Sequence, residues 1–243
     1  MKGKFIGIGI GPGDPELLTL KALRLLQETE IICVPKAGKE KKSIAQKIIE
    51  PHLTGRQKIV ELVMPMTKDK VELHTYWTNA AQKIMEYLRQ GKNVACVTLG
   101  DASLYSTYSY LQKYITTLDP EIEVETVPGI TSFAAAAARL NLSLAEGNER
   151  LGILPAVEDV SDLDNILDKF SNLVLMKVSA QFQEIVEALE RKSLAHQAVM
   201  ISRCGQPGER IVRDLPSQKG TKPDYLSLIL VKQGGDEECK FTS

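Results

Sequence analysis

The chain has 243 residues, 30 Lys and Arg against 31 Asp and Glu, and a hydrophobic share of 43%. That is the make-up of an ordinary globular protein of one large or two modest α/β domains. There is no basic excess to hold nucleic acid, and no run of about 18 apolar residues to cross a membrane. The opening, MKGKFIGIGIGPGD, is interrupted by glycines and closed by Asp14, so it is not read as a secretory leader. The expected setting is the cytoplasm, with Cys33, Cys96, Cys204 and Cys239 reduced and mostly buried. They form no CxxC pair, and with the scattered His52, His74 and His196 they give no metal spacing, so no protein-bound metal is expected.

Lys4 to Ile10 reads as a strand, and Gly9-Ile10-Gly11-Pro12-Gly13-Asp14-Pro15 follows it at once. Asp14 as cap and Pro15 as first helical residue predict a helix over PELLTLKALRLLQE. Strand, glycine loop and helix is how a dinucleotide site begins, but the pattern fails in detail. Pro12 or Asp14 falls where the last glycine of GxGxxG belongs. The next strand, Glu30 to Val34, ends in Pro35-Lys36 and not in the acid that would hold a ribose. No Gly-Lys-Ser/Thr follows, which removes a P-loop. The glycines either let a ligand approach backbone or make a tight connection.

Ser43 to Leu53 is predicted helical, and Lys58 to Met64 a strand stopped by Pro65. Lys68 to Gln90 is a long amphipathic helix ended by Gly91. Val94 to Val97 is a run of small and β-branched apolar residues, the signature of a buried parallel strand. It breaks at Leu99-Gly100-Asp101 and resumes as a helix from about Leu104 to Leu118, with Tyr105, Tyr108, Ser109 and Tyr110 crowding its start. Ligands of open α/β sheets sit past the carboxyl ends of strands. A glycine followed by a carboxylate suits such a place; the alternative is a turn in which Asp101 caps the next helix. The tyrosines either flank a planar ligand or are core residues with wet hydroxyls.

Glu121 to Val127 alternates charge and apolar residues as an edge strand does. Pro128-Gly129-Ile130-Thr131-Ser132 follows, then an alanine-rich helix from Phe133 to Leu140. Thr131 or Ser132 can cap that helix and also offer a hydroxyl and amides to a ligand. After Leu142 come short strands at Leu151 to Leu154, Leu173 to Val178, Ala198 to Ser202, Arg210 to Val212 and Tyr225 to Val231, with helices at Ser161 to Lys169 and Gln181 to Lys192. Gly205-Gln206-Pro207-Gly208 reads as a turn between strands. The expectation is a two-domain α/β chain. Residues 1–126 would carry a mostly parallel, Rossmann-like sheet and residues 127–243 a mixed sheet, with a ligand cleft between them. The tail from Gly234 to Ser243 reads as polar and loose.

Three motifs in order, GIGPGDPELLTLKA, LGDASLYSTYSYL and VPGITSFAAAAARLNLSLAEG, resemble those of the tetrapyrrole methylases, which use S-adenosylmethionine. NLVLMKV and YLSLILVKQ fit the same pattern, so the resemblance runs from Lys4 to about Lys232. The Tyr-Ser-Thr-Tyr, Leu-Met-Lys and Ala-Glu-Gly segments look most like the branch that methylates C20 of precorrin-2 or of its cobalt form.

The resemblance implies a folded cofactor held by Ile10, Pro12, Leu99, Gly100, Asp101, Leu104, Thr131, Ser132, Met176 and Cys204, with Asp101 on its methionine part or ribose. One position departs from the family: Ala102 stands where Gly-Asp-Pro is usual, which frees the loop somewhat. Tyr105, Tyr108 and Glu146 are candidates to take the C20 proton. Lys36, Arg139, Lys177 and Arg203 are candidates for the substrate carboxylates, or else solvated surface charges. The resemblance also favours a homodimer and implies neither nucleic acid nor membrane as partner. The alternatives are another ring position, uroporphyrinogen III, a diphthine precursor or ribosomal RNA as acceptor. A cofactor-binding protein without turnover and a nicotinamide oxidoreductase are weighed too; the failed fingerprint argues against the latter.

Overall fold

The structure, a computed structural model, describes residues 1–36, 38, 43–65, 67, 69–155 and 160–233. Lys68, Cys239 and the tail from Gly234 lie outside the described residues. The chain divides into two compact units, Met1–Thr131 and Ser132–Ser243.

The first unit is built on an all-parallel sheet of β1 (Phe5–Gly9), β2 (Ile31–Lys36), β3 (Lys58–Val63), β4 (Val94–Thr98) and β5 (Val124–Val127), in the order β3-β2-β4-β1-β5. Residue alternation on β1 shows why both faces are covered. Ile6 and Ile8 point to one side and pack with Ala22, Leu25 and Leu26 of α1 (Leu20–Glu28) and Ile48 and Ile49 of α2 (Ile44–Ile49). Phe5 points to the other, among Ile84 and Leu88 of α3 (Lys70–Arg89) and Leu111 and Ile115 of α4 (Thr107–Leu118). Each fully buried side chain of this size contributes about 1.5–3 kcal/mol, and two helical layers are what a two-sided apolar sheet requires. The expected edge strand, β5, is at the edge, paired only with β1.

The first helix departs from expectation. Asp14 does act as a cap, its carboxylate accepting the Glu16 N–H at 2.9 Å, but it closes only a 3-10 turn, Pro15–Leu17. Leu18 is extended (φ −68°, ψ 138°), and Thr19 opens α1 by accepting the Ala22 N–H at 3.1 Å. Two cap residues lie five positions apart, and the second one wins the helix. The helix after β4 likewise starts late, at Thr107, with Ser106 as its cap. α3 follows its signals: Asp69 accepts the N–H groups of Val71 and Glu72, and Gly91 ends the helix at φ +79°.

The second unit carries a mixed sheet of β6 (Leu151–Leu154), β7 (Asn172–Met176), β8 (Ala198–Ser202), β9 (Arg210–Val212) and β10 (Ser227–Lys232), in the order β6-β7-β10-β8-β9. β6 and β7 are parallel; β10 runs antiparallel to both β7 and β8. Leu173, Leu175, Met200, Ile229 and Val231 meet α6 (Leu163–Lys169) and α7 (Phe182–Arg191) on one face. The alanine-rich α5 (Ser132–Arg139) lies against β10. The Gly205 to Gly208 turn joins β8 to β9 as an antiparallel pair, with both glycines at positive φ.

Candidate functional site

β4, β1 and β5 are neighbours in one parallel sheet, so the loops that leave their carboxyl ends lie side by side. Those loops are tied to one another through backbone. Ile10 donates to the Thr98 carbonyl at 3.0 Å. Gly11 and Gly100 exchange both hydrogen bonds, at 3.2 and 2.8 Å. Gly9, Gly100 and Gly129 meet where no side chain fits. A Cβ on Gly9 would lie 2.6 Å from the Gly129 nitrogen, and a Cβ on Gly129 2.2 Å from the Gly100 oxygen. Gly11 and Gly100 are at φ +75° and +69°, which asks for glycine on conformational grounds as well. At Gly100 itself the space is open, with nothing nearer than 4.0 Å to a built Cβ. Backbone is therefore open there, without a side chain in the way.

Asp101 closes the arrangement. Oδ1 accepts the Ser103 N–H at 2.8 Å and the Ser103 hydroxyl, and Oδ2 accepts the Gly129 N–H at 2.7 Å. The residue is 9% exposed. Burial by itself would raise its pKa, but the bonds from Ser103, Gly129 and Leu104 outweigh it and hold the carboxyl below its ordinary value. Asp101 does not cap α4; it joins the β4 loop to the β5 loop. Beneath it, Ser106 donates to Thr98 Oγ1 at 3.0 Å and accepts the Tyr108 N–H at 3.1 Å. Ala102, in the proline position, is fully buried.

The cofactor positions expected in the first unit fall on these loops. Ile10 and Pro12 are buried in the β1 loop; Leu99, Gly100 and Leu104 are half-buried in the β4 loop; Thr131 is half-buried after β5. In the second unit, Ser132 is the first residue of α5, Met176 the half-buried last residue of β7, and Cys204 lies just past β8. Burial, then the Glu209 carboxylate, push the Cys204 thiol up to about 11, so it stands there as a neutral, polarisable group.

The candidate bases differ in their surroundings. Tyr108 is 2% exposed, its ring pressed on Gly7, where a Cβ would lie 2.1 Å from Cζ. Its hydroxyl is 2.8 Å from Thr126 Oγ1. It is a core side chain, the second of the two places the sequence left open for it. Tyr105 is half exposed in the β4 loop and held at φ +48°. Glu146 is exposed in the second unit, where a turn directs its N–H to Glu149 Oε2 at 2.8 Å.

The candidate cations divide into two pairs. Lys36 is committed to Glu61 at 2.5 Å and Arg139 to Glu209 at 2.9 Å. Lys177 and Arg203, one residue past β7 and β8, both adopt φ +54°. Among the described residues no group of three or more His, Cys, Asp or Glu could hold a metal, and no helix is long and apolar enough to cross a membrane.

The sequence reading named Gly100 and Asp101 but not Gly9, Gly11, Gly129, Thr98, Ser103 or Ser106 as parts of one assembly. The available signal was a glycine at or just past the end of each of three strands, followed at once by a carboxylate in the β4 loop.

The family model Tetrapyrrole (Corrin/Porphyrin) Methylases matches residues 4–218. The chain is 38% identical over 232 residues to the "Probable cobalt-precorrin-2 C(20)-methyltransferase" of Methanocaldococcus jannaschii, covering 95% of this chain and 96% of the relative. It is 34% identical to the cobalt-precorrin-2 C(20)-methyltransferase of Salmonella typhimurium, covering 96% and 98%. Among solved structures, the uroporphyrin-III C-methyl transferase of Thermus thermophilus complexed with S-adenyl homocysteine superposes with a TM-score of 0.65 at 22% identity, covering 95% and 98%. With the family model matched from the first strand to beyond the ninth, and two curated relatives aligned end to end, the chain belongs to the tetrapyrrole (corrin/porphyrin) methylases, a family of S-adenosylmethionine-dependent methyltransferases.

Proposed function

We propose that the protein transfers a methyl group from S-adenosylmethionine to C20 of precorrin-2 or, as the names of its relatives favour, of its cobalt-bearing form, in cobalamin synthesis. The observation that carries this reading is the near-full-length identity of 38% to a relative named for that reaction. The cobalt ion is part of the substrate in this reading.

The fit of the donor rests on the glycine loops. Gly100 leaves backbone open, and its Cβ position is free out to 4.0 Å. The proposed contacts in the first unit are Ile10, Pro12, Leu99, Gly100, Asp101, Leu104 and Thr131; those in the second are Ser132, Met176 and Cys204. Asp101 is assigned to fixing the loops, since both its oxygens are engaged within the protein, and through them to positioning the donor. The donor supplies a methyl already activated by its bond to a sulfonium, so the chain's part is to bind, orient and exclude water. A meso carbon of a reduced tetrapyrrole is nucleophilic in the manner of an enamine. It forms the new carbon–carbon bond as the carbon–sulfur bond breaks and then loses its proton. Tyr105, in the β4 loop, is the candidate for that proton in the first unit, and Glu146 in the second.

The test is anaerobic incubation with S-adenosylmethionine and, in parallel, precorrin-2 or its cobalt form, read by mass spectrometry. One added methyl on either, with S-adenosylhomocysteine released, is expected. Cofactor binding without transfer to either acceptor would overturn the C20 assignment while leaving the family intact.

A further inference from the structure

Among the described residues, five that are not glycine adopt positive φ: Tyr105, Asn141, Lys177, Ser193 and Arg203. Asn141 and Ser193 follow helices α5 and α7, where a left-handed residue ordinarily ends a helix. Lys177 and Arg203 have no such reason. Each stands immediately after the last residue of a strand, Met176 of β7 and Ser202 of β8. Left-handed backbone costs an L-residue with a β-carbon about 1–2 kcal/mol. Strain of this kind persists where the surroundings hold it, and it concentrates at ligand clamps.

The sheet brings the two together. β7 and β8 both pair antiparallel with β10, so they point the same way and end at the same edge. The Arg203 N–H donates to the Leu226 carbonyl at 2.8 Å, one step beyond the Ser202–Ser227 pair. Met176 pairs with Leu228, which sets Lys177 level with Ser227. The two residues therefore flank the first residue of β10, with Cα positions about 10 Å apart at two strand spacings. Both are held in place from below. Ser202 and Ser227 share a buried hydroxyl bond of 2.7 Å, Ser227 donates to the Asp224 carbonyl, and Ser179 donates to the Pro223 carbonyl at 2.7 Å.

Of the four candidate cations, these two are the less engaged. The Lys177 ammonium has no ion pair or hydrogen bond to any described residue. Arg203 has a buried Nε without an acceptor, and its guanidinium makes one long ion pair, 3.8 Å to Asp224. Lys36 and Arg139, by contrast, are spent on Glu61 and Glu209.

We propose that Lys177 and Arg203 form a two-point carboxylate clamp at the carboxyl edge of the second sheet, which grips two acid side arms of the tetrapyrrole acceptor. Arginine suits the fork geometry of a carboxylate, and lysine adds a point charge. The inference rests on the proposed function for the identity of the acceptor, but not for the existence of a polycarboxylate site.

The full chain is titrated with uroporphyrin, a tetrapyrrole polycarboxylate, and with its fully esterified form. Lys177→Gln and Arg203→Gln remove charge and keep the strain; Lys177→Gly and Arg203→Gly remove both. The double Gln variant is expected to bind uroporphyrin about tenfold or more weaker, with S-adenosylhomocysteine affinity within about twofold of wild type and no discrimination left between acid and ester. The Gly variants are expected to melt about 2–4 °C higher while losing the same affinity. Uroporphyrin binding that is absent in the wild type, or equal in wild type and Gln variants, overturns the clamp. A wild type that methylates cobalt-precorrin-2 with a KM the Gln variants share sinks the clamp and leaves the function standing. A wild type whose uroporphyrin binding depends on both residues, yet which methylates neither acceptor, sinks the function and leaves the clamp.

Discussion

The Asp101 carboxylate accepts the backbone N–H of Gly129 at 2.7 Å, across 28 residues of sequence, while its other oxygen holds Ser103. Two loops thus share one buried charge, and neither can move without breaking a charge-assisted bond. Asp101→Asn keeps the size but presents an amide NH2 to an N–H donor on one side. We expect a loss of about 2–3 kcal/mol in unfolding free energy, and about a tenfold drop in S-adenosylhomocysteine affinity by calorimetry. Wild-type values for both would mean the loops hold their shape without the charge.

Gly129 and Gly55 test the glycine assembly against simple conformational preference. Gly55 is at φ +79° in open space, so Gly55→Ala meets only the left-handed cost, about 1 kcal/mol. Gly129→Ala places a methyl 2.2 Å from the Gly100 oxygen and 2.6 Å from the Gly9 carbonyl carbon, backbone on both sides. It should cost at least about 3 kcal/mol and abolish cofactor binding. Equal urea midpoints for the two variants would show that the loops separate easily.

Much of this fold is legible in the sequence because its strands are short apolar runs punctuated by glycine and proline. Leu151–Leu154, Ala198–Ser202 and Arg210–Val212 are observed with the expected limits. The misplaced helix starts have one cause. Asp14 and Thr19 are both cap residues, as are Asp101 and Ser106, and propensity alone cannot say which one the packed chain uses. What stayed hidden is long-range. Gly129 lies against Gly9 and Gly100, and Gly7 lies under the Tyr108 ring, only because β4, β1 and β5 are neighbours. Spacing along the chain carries no mark of that order. That Lys36 and Arg139 are taken up by carboxylates is likewise invisible until Glu61 and Glu209 are placed.

Tyr108→Phe separates packing from proton transfer. The ring keeps its seat on Gly7, while the hydroxyl bond to Thr126 at 2.8 Å is lost. Stability should fall by about 1 kcal/mol and turnover should stay within about twofold of wild type. A drop of a hundredfold or more in kcat at unchanged KM would instead place the hydroxyl in the chemistry.

The N-terminal edge of the first sheet carries an ion-pair cluster with a defined pH signature. Lys21 and Lys4 bond the Glu125 carboxylate at 2.5 and 2.7 Å and push its pKa down from 4.5 to about 2. A folded-state value below the unfolded one means the pairing stabilises the protein at every pH above about 4.5 and is lost as pH falls from there toward about 2. The pairs lie near the surface, so each is worth no more than about 1 kcal/mol. Lys21→Ala should therefore lower the urea midpoint slightly at pH 7. That difference should shrink progressively below pH 4.5 and should also shrink in high salt at neutral pH. A wild-type-to-variant difference that stays constant down to pH 2 would show that Lys21 acts through its aliphatic stem rather than through its charge on Glu125.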